Sequence, residues 1–182
     1  MSASEIVREF VSILDSVTAV FLDSRDGFEL LQIQLEAENQ DRNWNEPVYF
    51  GDGPPSQVRN VAHTTTIGDR IGRNACDGAN CTFVSNMAVV AIYSYWEDYY
   101  RLEIAKAMNL TNQELKSDIF GEIRRLRQAI VHHHGKATAE VAAAKLLAWF
   151  DEGEEIFFSQ AMFFRLVSEI REYLKTIPGI AL

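Results

Sequence analysis

The segment Arg124-Arg-Leu-Arg-Gln-Ala-Ile-Val-His-His-His-Gly135 sets three arginines just ahead of three histidines. A guanidinium is a permanent cation whose forked donors match two non-bridging phosphate oxygens and stabilise the charge of a pentacoordinate phosphorus. Imidazole titrates near neutral pH and can move a proton to or from a ribose hydroxyl or a leaving oxygen. Together they suit phosphate chemistry on RNA, a reaction that requires no metal. Arg127 and His132 form the leading pair. At about 100° per residue they lie roughly 140° apart around an ideal helix, whereas Arg127, Val131 and His134 share a face. The spacing therefore predicts that the pair does not converge within one chain. An unwound last turn near Gly135 or a two-fold interface would be needed, and catalysis implies a homodimer. The same histidines, at a helix C-terminus, also favour its negative dipole end, a purely structural role.

The elements that must position these residues are helical nearly throughout, and no internal repeat is present. Ile6, Phe10, Ile13, Leu14, Val17 and Phe21 recur at helical spacing and predict a helix over about 4–22, ending near Asp23–Gly27. Phe28, Leu31 and Leu35 continue as a second helix, favoured over a strand by the abundance of Glu, Gln, Leu and Ala. Residues 43–83 hold three of the four prolines and five of the ten glycines with no sustained period, and read as one long irregular loop. Ser85 is a candidate N-cap for a strongly apolar central helix to about Asn109. Thr111-Asn-Gln-Glu114 is a capping box that places the next helix from about 112, closed by Gly135. A helix over Thr138–Phe150 and a last one over Ser159–Thr176, ended by Pro178-Gly179, complete an all-α bundle of five or six helices in a single domain, 1–182.

Arg127-Gln-Ala-Ile-Val-His132, with Gly135 three residues on, resembles the Arg-x(4–6)-His signature of the HEPN superfamily (higher eukaryotes and prokaryotes nucleotide-binding). The upstream helix, Ala88-Val-Val-Ala-Ile-Tyr-Ser-Tyr-Trp-Glu-Asp-Tyr-Tyr-Arg101, is similar to the Trp-Glu-containing core helix of bacterial members. The resemblance covers about residues 84–176. It leaves 1–42, an acidic pair of helices, and the 43–83 loop outside. It implies a helical bundle that dimerises so that Arg and His of both chains line one cleft. It also implies a metal-independent endoribonuclease, often of a toxin–antitoxin or defence system, with a cognate antitoxin protein as a possible partner. Carried over by position, Arg127 binds the scissile phosphate and His132 acts as general base or acid. Gln128 stands where the family usually has asparagine or another small polar residue. His133 and His134 also fit the spacing, and the distance to Gly135 selects His132. The alternative is a non-catalytic HEPN-like module that binds a nucleotide or a protein partner, which Gln128 and the net charge of -9 favour.

Glu97 and Arg101, one turn apart, either position Arg127 and contact RNA or form an ordinary i,i+4 ion pair. Tyr93, Tyr95, Tyr99 and Tyr100 could stack bases, but in so apolar a helix they read first as core. Cys76 and Cys81 with His63 offer too few ligands at too irregular a spacing for a zinc site, and no cofactor or metal is expected.

At 182 residues, 47% hydrophobic and 24% charged, the chain can bury a full core, so disorder is excluded. Its charge is uneven. Residues 1–60 carry eleven acids against four arginines, while Lys116 to Lys136 is locally basic and is where RNA or another polyanion would be met. No apolar run suits a membrane span and the N-terminus lacks a basic-then-apolar leader, so a cytoplasmic protein is expected. Phosphate-loop, dinucleotide-binding and serine-hydrolase motifs are missing.

Overall fold

The computed structural model describes residues 1–53 and 60–180. It divides into two compact units, one comprising Met1–Leu22 and Thr82–Leu182, the other Asp23–Cys81. The fold is predominantly helical but not strictly all-α. Its elements are α1 (Ala3–Glu38), β1 (Pro47–Gly51), β2 (Val61–Thr66), α2 (Ile67–Gly72), α3 (Ala79–Tyr95), a π-helical turn (Trp96–Tyr100), α4 (Arg101–Ala107), α5 (Asp118–His132), α6 (Ala139–Ala142) and α7 (Gln160–Thr176). No described helix is long and apolar enough to cross a membrane.

In the larger unit the core is aromatic. Phe10 of α1 packs against Trp96 and Tyr100, and Trp96 lies flat on Phe120 with centroids 4.1 Å apart. Phe21 stacks on Phe163 of α7 at 4.3 Å. Ile92, Ile123, Leu126, Leu166 and Ile170 fill the space around these rings and are fully buried. Burying one such side chain is worth about 1.5–3 kcal/mol, so the rings that fix α5 against its neighbours also fix the arginines it carries.

In the smaller unit the residues expected to be one irregular loop form instead an antiparallel hairpin, with Pro47 opposite Thr66 and Gly51 opposite Val61, and a bulge between Phe50 and Gly51. The run Val61-Ala-His-Thr-Thr-Thr66 is β-branched enough to hold a strand. Thr66 then caps α2 by accepting the Asp69 N–H at 3.0 Å. Leu35, Ile67 and Ile71, with Leu31 and Val48 beside them, make a small core of their own. Residues 54–59, part of the segment expected to be that loop, lie outside the described residues.

Several helix boundaries differ from those the sequence suggests. α1 does not stop at Asp23–Gly27 but runs on as one helix to Glu38, where the Asn39 amide turns back to the Leu35 carbonyl at 2.7 Å. One glycine inside a helix costs only about 1 kcal/mol, too little to end a run flanked by good helix formers. Ser85 is not an N-cap; it sits inside α3 and its hydroxyl donates to the Thr82 carbonyl. The Thr111–Glu114 box forms, with Glu114 accepting from the Thr111 N–H and hydroxyl at 2.8 and 2.7 Å. It closes an isolated turn, and the cap of α5 is Ser117, whose hydroxyl accepts the Phe120 N–H. The helix expected over Thr138–Phe150 shrinks to the single turn of α6 because the Glu122 carboxylate takes up the N–H groups that follow. Only the last helix, capped by Ser159 and followed by Pro178 and left-handed Gly179, has the limits its sequence suggests.

Candidate functional site

α5 is amphipathic by the spacing of Ile119, Ile123, Leu126 and Ile130, all buried, which leaves Arg124, Arg125 and Gln128 on its exposed side and Arg127 half-buried. The helix ends at His132. His133 leaves helical geometry, and His134 and Gly135 both take left-handed backbone, with φ of 54° and 74°. Histidine tolerates that region better than most side chains, and glycine enters it at no steric cost.

The strand-like piece beyond is pinned. The Gly135 carbonyl accepts the Ile156 N–H at 2.7 Å, the Ala137 N–H donates to Glu154 at 2.8 Å, and the buried Asn86 amide on α3 donates to the Ile156 carbonyl at 3.0 Å. The end of the histidine tract is thus fixed from both sides.

Within this single chain Arg127 Nη1 lies 3.2 Å from His132 Nε2. The expectation that an ideal helix keeps the pair apart is therefore corrected, and of the two routes to convergence, a two-fold interface or an unwound last turn near Gly135, the chain itself shows the helix ending at His132. The long arginine side chain spans the angular gap, and His132 occupies the last helical position, where no further turn stands between them. A guanidinium can only donate, so this contact is a hydrogen bond in the tautomer that carries its proton on Nδ1 and accepts at Nε2. Among the described residues no carboxylate pairs with Arg127 or His132.

The other expected site residues divide into two groups. Gln128 and His133 line a separate hollow of about 200 Å³ with Arg125, Thr138 and Glu140. His134 is exposed. Glu97 and Arg101 do pair: Nη1 donates to both carboxylate oxygens at 3.0 and 2.9 Å, and Nη2 donates to the Asn112 carbonyl at 2.6 Å. Arg101 is thus held at both ends, and with Tyr93 and Arg124 it borders a second pocket. Tyr93 ionises above the usual tyrosine range, chiefly through burial and next through Glu97, against the opposing pull of Arg124, Arg101 and Arg127. Tyr100 is core, as expected, while Tyr95 and Tyr99 are exposed.

Arg124, Lys116 and Tyr93 are functional candidates that a search for the Arg–His spacing overlooks. The locally basic run from Lys116 is the signal that points to two of them.

No described group of three His, Cys, Asp or Glu side chains could hold a metal ion. His63 is engaged by Arg73 Nη1 at 2.9 Å, Cys76 is exposed, and Cys81 is buried with its thiol pushed up by that burial. Compared with protein-family models, with curated proteins and with solved structures, the chain matches none.

Proposed function

We propose that this protein is a HEPN-like, metal-independent endoribonuclease in which Arg127 binds the scissile phosphate and His132 moves the proton. The reading is supported above all by the 3.2 Å contact between Arg127 and His132 at a pinned helix end on a locally basic surface. In the reaction, the 2′-hydroxyl oxygen attacks the adjacent phosphorus and its proton passes to Nε2 of His132. The bond from phosphorus to the 5′-oxygen breaks, and the same proton is delivered to that oxygen. The products are a 2′,3′-cyclic phosphate and a free 5′-hydroxyl. Arg127 moves from the imidazole to the non-bridging oxygens, where negative charge builds in the transition state.

Homodimerisation, a cytoplasmic setting, a toxin–antitoxin or defence role and a cognate antitoxin belong to this proposal through the resemblance of the Arg127–His132 segment. The geometric argument for a dimer no longer applies, because one chain assembles the pair.

One observation favours a second reading, a non-catalytic module that binds a nucleotide or protein partner. The guanidinium occupies the Nε2 lone pair that a general base needs. Cleavage of a labelled RNA mixture in EDTA, by wild type and His132→Ala purified identically, separates the two. Loss in the variant alone supports the ribonuclease. Absence of cleavage by folded wild type supports the binding module.

A further inference from the structure

The second half of α1 leaves two large apolar side chains in the open. Leu30 is 68% exposed and Ile33, nearly one turn on, is 56% exposed. The same stretch turns Leu31 and Leu35 inward, onto the small core with Ile67 and Ile71. At about 100° per residue, Leu30, Ile33 and Ala37 share the outward face. Apolar residues scattered singly are ordinary on any surface, whereas neighbours on one helix face make a stripe that a partner can cover. Gly27, exposed one turn before Leu30, opens a gap in that face. Beyond its chain neighbours and the helix backbone, nothing stands within 4 Å of the place its Cβ would occupy, so a side chain from outside can seat there.

The rim of this stripe is acidic. Asp23, Asp26, Glu29 and Glu38 are all exposed, and none of them forms an ion pair among the described residues. Glu38 is met by the Gln34 amide alone, at 2.7 Å. Arg25, the single cation in the sequence from 23 to 38, is half-buried and lies on the other side of the helix, beside Cys81.

That rim selects the occupant. A second copy docking through the same face would set carboxylate against carboxylate, and RNA or an anionic lipid surface would do the same with phosphate. A helix with apolar residues on one side and lysine or arginine beside them satisfies both the stripe and its rim. At about 1.5 Å per residue, 23–38 spans roughly 24 Å, the length of a partner helix of about four turns.

We infer that the outward face of α1 around Leu30 and Ile33 is a docking surface for a cationic amphipathic helix of a partner protein. The inference does not depend on Arg127 and His132 acting on RNA.

The test measures fluorescence anisotropy of a labelled helical peptide of about 18 residues, leucines on one side and lysines on the other, against the full chain. Wild type is expected to bind it. Leu30→Gln with Ile33→Gln is expected to weaken binding by about ten-fold or more, the scale of central apolar anchors. Both positions are exposed and glutamine is a good helix former, so this variant keeps its helix. Asp26→Asn with Glu29→Gln should weaken binding about three-fold or more at low salt and less at high salt, as screening requires. Glu152→Gln with Glu155→Gln, exposed acids of the larger unit, should leave it within about two-fold. No binding overturns the docking surface. So does equal binding by wild type and the Leu30→Gln, Ile33→Gln variant, which would mean that net charge alone holds the peptide. Sedimentation of the same two chains supplies the last outcome. A wild-type dimer that the variant loses assigns the face to a second copy and overturns the partner helix.

Discussion

Glu122 of α5 accepts the backbone N–H of Leu147 at 2.7 Å, and the same buried carboxylate accepts those of Lys145 and Leu146 at 2.7 and 3.0 Å. Three consecutive backbone donors thus converge on one charged side chain. A hydrogen bond to a charged group contributes about 1.5–3 kcal/mol, and a buried donor left without a partner costs about 1–3. Glu122→Ala is therefore expected to lower stability by about 3 kcal/mol or more in chemical denaturation, with Glu122→Gln milder because one acceptor remains. An unchanged midpoint for the alanine variant would show that solvent satisfies these groups.

Gly135→Ala places a side chain where φ is 74°. Left-handed backbone costs a non-glycine residue about 1–2 kcal/mol. The variant should lose that much stability and also displace the histidine tract, so RNA cleavage is expected to fall while the far-ultraviolet spectrum stays helical. Full activity with a normal melting temperature would mean that the turn is not what sets His132.

Arg127→Lys keeps the charge but not the fork, and His132→Ala removes the proposed proton carrier. Each is expected to lower cleavage in EDTA by about 100-fold or more, the scale of general acid–base catalysis and of a lost bidentate contact. Stability should change by no more than about 0.5 kcal/mol, since His132 is exposed, Arg127 is only half-buried, and neither pairs with a carboxylate among the described residues. If activity and stability fall together, the residues are structural.

Tyr100 is pushed up to about 12, first by burial and then by Glu9 beside it. The unfolded chain gives up this proton near the ordinary tyrosine value of about 10. Between those two values the unfolded state alone is ionised, so stability falls as pH rises through the window and falls no further above it. Comparing denaturation at both ends of the window, wild type should lose more stability than Tyr100→Phe. Equal losses would assign the effect to other groups.

Because one chain brings Arg127 to His132, cleavage per chain need not depend on protein concentration. Sedimentation and activity measured over the same dilution series should show activity persisting in any monomer fraction. Activity that vanishes with the dimer would mean that the second subunit supplies something the single chain lacks.

Residues whose burial dominates were legible in the sequence. Leu126 and Ile130 on α5, and Leu166, Ile170 and Leu174 on α7, follow a 3.6-residue period and are buried. The last helix was legible from Ser159, the polar residue directly before such a run, and the structure makes that residue its cap. What the period could not show was competition from distant groups. Nothing near Lys145 indicates that Glu122 takes its N–H, so the segment after α6 looked helical. Asp23-Ser-Arg-Asp-Gly27 carries the residues of a stop, yet the helix runs through them to Glu38. In the site, an angular argument alone separated Arg127 from His132, since it counted Cα positions and not the reach of a guanidinium.

The discontinuity of the larger unit has a consequence for the order in which it is made. Its first helical stretch carries Ile6, Phe10, Leu14 and Phe21, whose ring partners Trp96, Phe120 and Phe163 lie far downstream. On the ribosome, where chains emerge at about 5–20 residues per second, that greasy stripe waits for seconds before anything arrives to cover it. The nascent chain is thus most vulnerable while this stretch is uncovered. Chaperone binding or aggregation during synthesis should concentrate on α1.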